Sequence, residues 1–424
     1  MYVSRIEVSG IRGFSGKRSV DLRLTRPDGS HAGWTVLAGR NGSGKTTLLR
    51  AIAMAVCGPS VAQNLVPGFP GWLSVGAEEG LVAAEVLSDP AWDRESTNGA
   101  HVAEMRWSSE ADEVVVAGQA MKEMWRSKPH GWFVAGYGPF RRLSGGSMDS
   151  RRLMQSTGRV SHLASLFHED ASLAECVSWL IELHLRRLED RPGATDLLRF
   201  VLGLLNDGLL PDGFRIEDVD SDGLWVTRDG RSMALRELSD GYRTVTALVL
   251  DLVRRIDHVY PMTGASGTTV DAPGVVLIDE IDAHLHVSWQ KKIGGWLTEH
   301  FPRIQFIVTS HSPYVCQSAD PGGLIRLAGL DEDAPPRVVE EDLYRRIVNG
   351  SGDDALLTDL FGVDSLYSDE AERSRHRLVV LERAIMGNRA TPEEEQEYRI
   401  LREQLKSTMT TRVSEVAARI VESS

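Results

Sequence analysis

Cysteine is scarce in this chain of 424 residues: three in all, Cys57, Cys176 and Cys316, far apart and with no C-x-x-C pair. That excludes a disulfide scaffold and a cysteine-rich zinc site, and it fits a reducing cytoplasm. Positive charge is also short. Lys and Arg number 47 against 60 Asp and Glu, a formal net charge of −13, so no overall field holds the chain on DNA. A local basic patch could still meet phosphates. Long apolar runs are missing as well, since TALVLDLV and GVVLI are far too short to cross a bilayer. The opening MYVSRIEVSGIRGF alternates polar and apolar residues and carries Arg5 and Arg12, so it reads as a strand and not as a signal-peptide core. No internal repeat, low-complexity tract or sustained heptad run is present. What remains is 42% hydrophobic and 25% charged, the make-up of a folded globular protein, expected in the cytoplasm and off the membrane.

The patterning predicts an α/β protein. Tyr2–Val8 and Trp34–Ala38 read as strands, the second turning through glycines into LLRAIAMAV, whose length and Ala/Leu content favour a buried helix. LVAAEVL, HVAEMRW and EVVVAG, between Leu81 and Val116, suggest a small antiparallel sheet. Trp132–Tyr137 reads as another strand, ending in GPFRRLSGGS. Leu173 to Asn206 is helical with a break at Arg191-Pro192-Gly193, and FRIEDV and GLWVTR are strands joined by Ser221-Asp222-Gly223. From Leu235 to His311 helices alternate with the apolar strands GVVLI and QFIVT, which indicates a parallel sheet covered on both faces. Beyond Pro335 the text is charged and ends in a helical hairpin from Ser368 to Ser424, its second helix capped by Thr391 with Pro392 in first position. An apolar stripe through Leu378, Leu381, Ile385, Ile400, Leu401, Leu405, Val413, Val416 and Ile420 exceeds what a hairpin needs to close on itself. The expected division is a head over 1–325, with a β-rich lobe at 72–145 and a helical insertion with short strands at 146–237, then a C-terminal extension over 326–424.

Gly39-Arg40-Asn41-Gly42-Ser43-Gly44-Lys45-Thr46 matches G-x-x-x-x-G-K-[ST] between a strand and a helix. The glycines let backbone amides curl round phosphate oxygens, Lys45 offers a point charge, Thr46 offers its hydroxyl to Mg²⁺, and Thr47 continues the helix start whose dipole faces the anion. Val275–Ile278 runs into Asp279-Glu280, acids at the end of a buried parallel strand, where ligands bind in such sheets. Asp279 suits the shell of Mg²⁺ and Glu280 the polarising of an attacking water; a pair of acids capping a strand end is the bland alternative. Leu238-Ser239-Asp240-Gly241-Tyr242 precedes the helix TVTALVLDLVRRI, and by itself Ser239 would be an ordinary N-cap. His311, after QFIVT, would by itself be structural or solvent-facing. His284 and His286 near the acids leave zinc as an alternative there.

Taken in this order, the P-loop, LSDGY, Asp279-Glu280 and His311 resemble the ABC-type ATPases of the SMC/RecF/OLD group over residues 1–325. The resemblance implies a P-loop ABC-type head that takes ATP and Mg²⁺. LSDGY would be the LSGGQ signature, with Asp240 and Tyr242 as departures; Ser239 and Gly241 of one chain would cover the γ-phosphate bound by another, which implies a head-to-tail dimer. Ile281–Leu285 would be the D-loop and His311 the switch histidine, catalytic alongside Glu280. Tyr137–Arg142 lies where the Q-loop belongs yet holds no Gln, so that Mg²⁺ contact stays unassigned. IRGFSG loosely matches the opening of the group, while GYGPFRRLSGG, DEIDAHLHVSWQ and LFGVDSLYSDEAER are closer to antiphage ATPases of the Septu type. The stretch from Thr46 to Leu238 has no room for SMC arms, and LVVLERA around Glu382 is followed by no D-x-D, so neither long-arm tethering nor a Toprim nuclease is expected. The resemblance implies a slow or regulated ATPase that senses a trigger and controls a separate nuclease effector, such as an HNH protein, in phage defence. A RecF-like repair ATPase binding DNA directly and an ATP-fixed scaffold with negligible turnover are the competing expectations.

Overall fold

The structure, a computed structural model, describes residues 1–66, 68–93, 99–108, 114–117 (backbone only), 125, 131–143, 147–156, 158–262, 267–363 and 365–405. Strands β1 (Tyr2–Ser9), β2 (Val20–Arg23), β3 (Gly33–Ala38), β4 (Glu79–Leu87), β5 (Ala100–Ser108), β6 (Val114–Ala117) and β7 (Val134–Tyr137) come from the first third of the chain. They are followed by β8 (Arg215–Asp220), β9 (Gly223–Arg228), β10 (Arg231–Ala234), β11 (Gly274–Ile278), β12 (Ile304–Ser310), β13 (Leu324–Arg326) and β14 (Arg337–Val338).

The central sheet runs β14-β13-β3-β12-β11-β7, parallel from β13 to β7 with only β14 reversed at the edge. Every residue of β11 and β12 is buried, as expected for parallel strands covered on both faces. The register aligns the strand ends: Ile278 sits opposite Val308 and Tyr137, and Ser310 opposite Ala38. The loops that leave β3, β12, β11 and β7 therefore emerge side by side on one edge, although they are far apart in sequence.

The β-rich lobe is an antiparallel sheet of order β2-β1-β4-β5-β6. It takes in the N-terminal strand, so it begins well before residue 72. The helix Lys45–Cys57 touches strands of both large sheets, and ten of its residues are buried, from Lys45 to Cys57. A helix that is apolar all round has to be buried all round, and this position supplies that. A third sheet, β10-β9-β8, follows the helices Ala174–Leu188 and Ala194–Asn206; β10 goes beyond the two strands expected. The expected strand at Trp132 starts later, at Val134, because Trp132 has φ 56° and its amide donates to Asp93 Oδ1 at 2.6 Å.

The boundary expected at residue 325 is displaced. One compact unit spans Met1–Phe361 and a second Gly362–Ser424. Leu324–Arg326 is itself a strand of the central sheet, and the helices Glu341–Asn349 and Gly352–Leu356 belong to the first unit. In the second unit, Asp369–Met386 and Pro392–Gln404 form the hairpin. Arg377 holds Glu397 across it at 2.9 and 2.7 Å, and Thr391 with Glu394 forms a capping box over Pro392. Leu381 is buried and Ile400 exposed; Val413, Val416 and Ile420 lie outside the described residues. Among the described residues, no helix is long and apolar enough to cross a membrane.

Candidate nucleotide site

The loop from Gly39 to Gly44 leaves β3 and enters the helix at Lys45. Gly44 has φ 98°, and a Cβ there would lie 2.6 Å from the Phe14 ring, so both the conformation and the space demand glycine. Arg40, Asn41 and Gly42 form an exposed tip, while Ser43 and Lys45 are buried at the root. Lys45 Nζ donates to the carbonyls of Gly39 at 2.9 Å and Arg40 at 3.1 Å. Burial pushes its ammonium down to about 8, against the opposing pull of Asp279 and Glu280. Leu48 N bonds back to Gly44 O, so the amides of Lys45, Thr46 and Thr47 stand in the first helical turn, where intrahelical partners are lacking. Ser43 Oγ is buried without a hydrogen-bond partner among the described residues. A buried cation, first-turn amides and an orphaned hydroxyl together form a donor set suited to a polyphosphate.

Asp279, at the end of β11, accepts from Thr46 Oγ1 at 2.8 Å through one oxygen and from Thr309 Oγ1 at 2.6 Å through the other. Thr309 Oγ1 also accepts from Glu280 N at 2.7 Å. One hydroxyl on β12 therefore fixes both acids. The Thr46–Asp279 pair is chemically suited to a hard divalent cation. Glu280 is half-buried with φ 45°, and its carboxyl is raised by burial and by Asp279 and Asp282, while Lys45 and Arg141 pull it down. Thr309→Val keeps the shape and removes the hydroxyl, leaving Asp279 Oδ1 and Glu280 N without this partner. It should cost about 1–3 kcal/mol of stability in urea unfolding. An unchanged midpoint would show that the bridge carries no energy.

His311, directly after β12, is half-buried; burial and Lys45 lower its pKa, against Asp282 and Asp279. Ser310 Oγ donates to Asp282 Oδ1 at 2.6 Å and Ser312 Oγ to Gln290 Oε1 at 2.7 Å, tying this turn to the loop after β11. His284 and His286 are exposed, and the His286 ring accepts from Ser288 N at 3.3 Å as a helix cap. Among the described residues, no group of three or more His, Cys, Asp or Glu side chains could hold a metal, so the zinc alternative finds no support.

Ser239 stands exposed at the N-cap of the helix Asp240–Val259 and its side chain makes no capping bond. A Cβ on Gly241 would lie 2.8 Å from His284 O, so this turn packs on the loop after β11 and needs glycine there. Both departures from the signature have partners: Asp240 pairs with Arg243, and Tyr242 donates to Asp212 at 2.5 Å. The central sheet brings together Lys45, Thr46, Asp279, Glu280 and His311; Ser239 and Gly241 stand at the start of another helix, whose first turn packs on the loop after β11. Sequence reasoning missed Thr309 and Arg141. The second fills the glutamine-less loop after β7, and the only signal was its place between Tyr137 and Arg142.

Two family models match: one described as "AAA domain, putative AbiEii toxin, Type IV TA system" over residues 184–317, and one described as "AAA domain" over 5–75. The chain is 27% identical over 317 residues to the Septu protein PtuA of Bacillus mycoides, covering 74% of this chain and 38% of the relative. It is 45% identical over 97 residues to the Retron Ec83 probable ATPase of Escherichia coli, covering 23% of this chain and 17% of the relative. It thus spans well under half the length of either relative. An Smc head domain from Pyrococcus furiosus, solved with the C-terminal domain of ScpA, superposes with a TM-score of 0.47 at 17% identity, covering 80% of this chain and 96% of that one. The chain has an α/β P-loop head and is similar over part of its length to the Septu PtuA proteins.

Proposed function

We propose that the chain binds ATP with Mg²⁺ and hydrolyses it at a site shared between two copies. The Thr46–Asp279–Thr309 chain beside a buried Lys45 carries this reading. Acids kept only to cap a strand end need no desolvated ammonium beside them. Lys45 and the first-turn amides bind the phosphates, and Thr46 with Asp279 holds the cation. When bound, Mg²⁺ neutralises charge building on the phosphate oxygens. Glu280 accepts the proton of the attacking water; burial and neighbouring acids move its proton affinity toward the operating pH, as a general base requires. His311 is uncharged near neutral pH because its pKa is lowered, so a ring nitrogen can donate to the γ-phosphate without adding a full charge.

The exposed, uncapped hydroxyl of Ser239, with Gly241, covers the nucleotide of a second copy in a head-to-tail dimer. The names of the relatives support a role in antiphage defence, in which slow or regulated turnover controls a separate nuclease effector of the HNH kind, in the cytoplasm. Mg²⁺-dependent phosphate release that EDTA stops tests the ATPase. The shared site is tested by mixing a Lys45→Ala chain with a Ser239→Arg chain. Each should be inactive alone, and the mixture should recover hydrolysis, since one of its two sites keeps both halves intact. No recovery where heterodimers demonstrably form removes the shared site.

A further inference from the structure

Arg141 lies in the loop after β7 and is 2% exposed. Its guanidinium meets no carboxylate in an ion pair among the described residues. Instead Nη1 donates to Gly138 O at 2.8 Å and Asp279 O at 3.0 Å, and Nη2 donates to Glu280 O at 3.1 Å and, more weakly, Ile281 O at 3.4 Å. Three successive carbonyls at the end of β11 thus converge on one cation. Such convergence sets parallel dipoles against one another and is stable only with a donor at the focus. It also coincides with the left-handed φ of 45° at Glu280, a conformation that a non-glycine residue holds only when its surroundings impose it. Asp279, Asp282 and Glu280 supply the field that keeps the buried cation charged. The register of β7 beside β11, with Tyr137 opposite Ile278, delivers Arg141 to this turn.

We propose that Arg141 is a positioning residue for hydrolysis: it gathers the carbonyls of residues 279–281 and so holds the turn that aims the Glu280 carboxylate at the attacking water. This rests on the ATPase reading above. Its site is the loop that holds no glutamine, so a backbone clamp stands where an amide side chain was expected. A lysine cannot replace it in full, since a point ammonium lacks the planar fork that reaches two loops at once.

The test uses the full chain and compares wild type with Arg141→Ala, Arg141→Gln and Arg141→Lys. ATP affinity, measured in EDTA-quenched equilibrium binding with a fluorescent ATP analogue, should stay within about threefold, while single-turnover hydrolysis falls about 10–100-fold, the scale of losing a residue that orients a ligating or reacting group. Arg141→Lys should lie between wild type and Arg141→Ala, and added guanidinium ion should restore part of the rate to Arg141→Ala. A role in folding alone would produce neither the split between binding and rate nor the rescue by guanidinium. If Arg141→Ala fails to fold, the binding and rate readouts of Arg141→Lys decide. Hydrolysis within threefold of wild type, or binding and hydrolysis lost together with a lowered melting temperature and no guanidinium rescue, overturns the proposal. Absence of hydrolysis in wild type itself would instead remove the ATPase reading.

Discussion

Lys45→Ala should leave the fold intact and weaken ATP binding by about 30-fold or more, the loss expected when one partner of a desolvated charge contact is truncated. The fold tolerates the change because the wild-type ammonium is held at a cost: it is buried on two carbonyls, with its pKa pushed down to about 8 from 10.5. Between those values the unfolded chain binds more protons than the folded one, so this group makes wild-type stability rise with pH across that window. Below it, the penalty is present in full. Lys45→Ala removes the penalty and should be more stable than wild type at pH 7 by about 1–3 kcal/mol, less whatever the two carbonyls lose. The advantage should shrink as pH is raised through the same window. Phosphates should draw the Lys45 pKa back up, so wild type should take up protons on binding nucleotide near pH 9 and the variant should not. Calorimetry in buffers of differing ionisation enthalpy reads that uptake, and urea unfolding at pH 7 and pH 10 reads the stability. A variant that kept ATP affinity would remove Lys45 from the phosphate site.

The P-loop and the Asp-Glu pair were legible in the sequence because each packs its chemistry into a few consecutive residues between elements of clear period. The buried helix Lys45–Cys57 was legible for a related reason, since its apolar residues cover every face. Short edge elements were not. β13 and β14 occupy three and two residues, too few to show a period, and pairing alone makes them strands; they lie at and beyond residue 325, where the resemblance was expected to end. β2 alternates correctly, with Val20 and Leu22 buried, but four residues carry too little pattern to stand out. Thr309 and Arg141 were silent for a different reason. A threonine and an arginine declare nothing by type. Their roles arise from the neighbour relations of β12 and β7 to β11, which no local spacing encodes.

Glu280→Gln should part binding from chemistry. The amide keeps the volume of the carboxylate and can still hydrogen-bond to water, and the backbone that fixes position 280 is held by Thr309 and Arg141, neither of which touches the replaced atoms. ATP should therefore bind with near wild-type affinity and persist. Hydrolysis should fall about 10²–10⁴-fold, the usual worth of a general base. Because burial and the adjacent acids raise the Glu280 carboxyl above its ordinary 4.5, the wild-type rate should decline as pH falls through that raised value, where the base becomes protonated. Glu280→Gln has no such group to protonate, so its residual rate should lack that limb. Nucleotide trapped in the variant should favour the proposed head-to-tail pair, visible as a doubled mass in light scattering with ATP and Mg²⁺. Quench-flow traces with near-normal hydrolysis would take the catalytic role away from Glu280. An acid limb unchanged in the variant would assign that titration to another group.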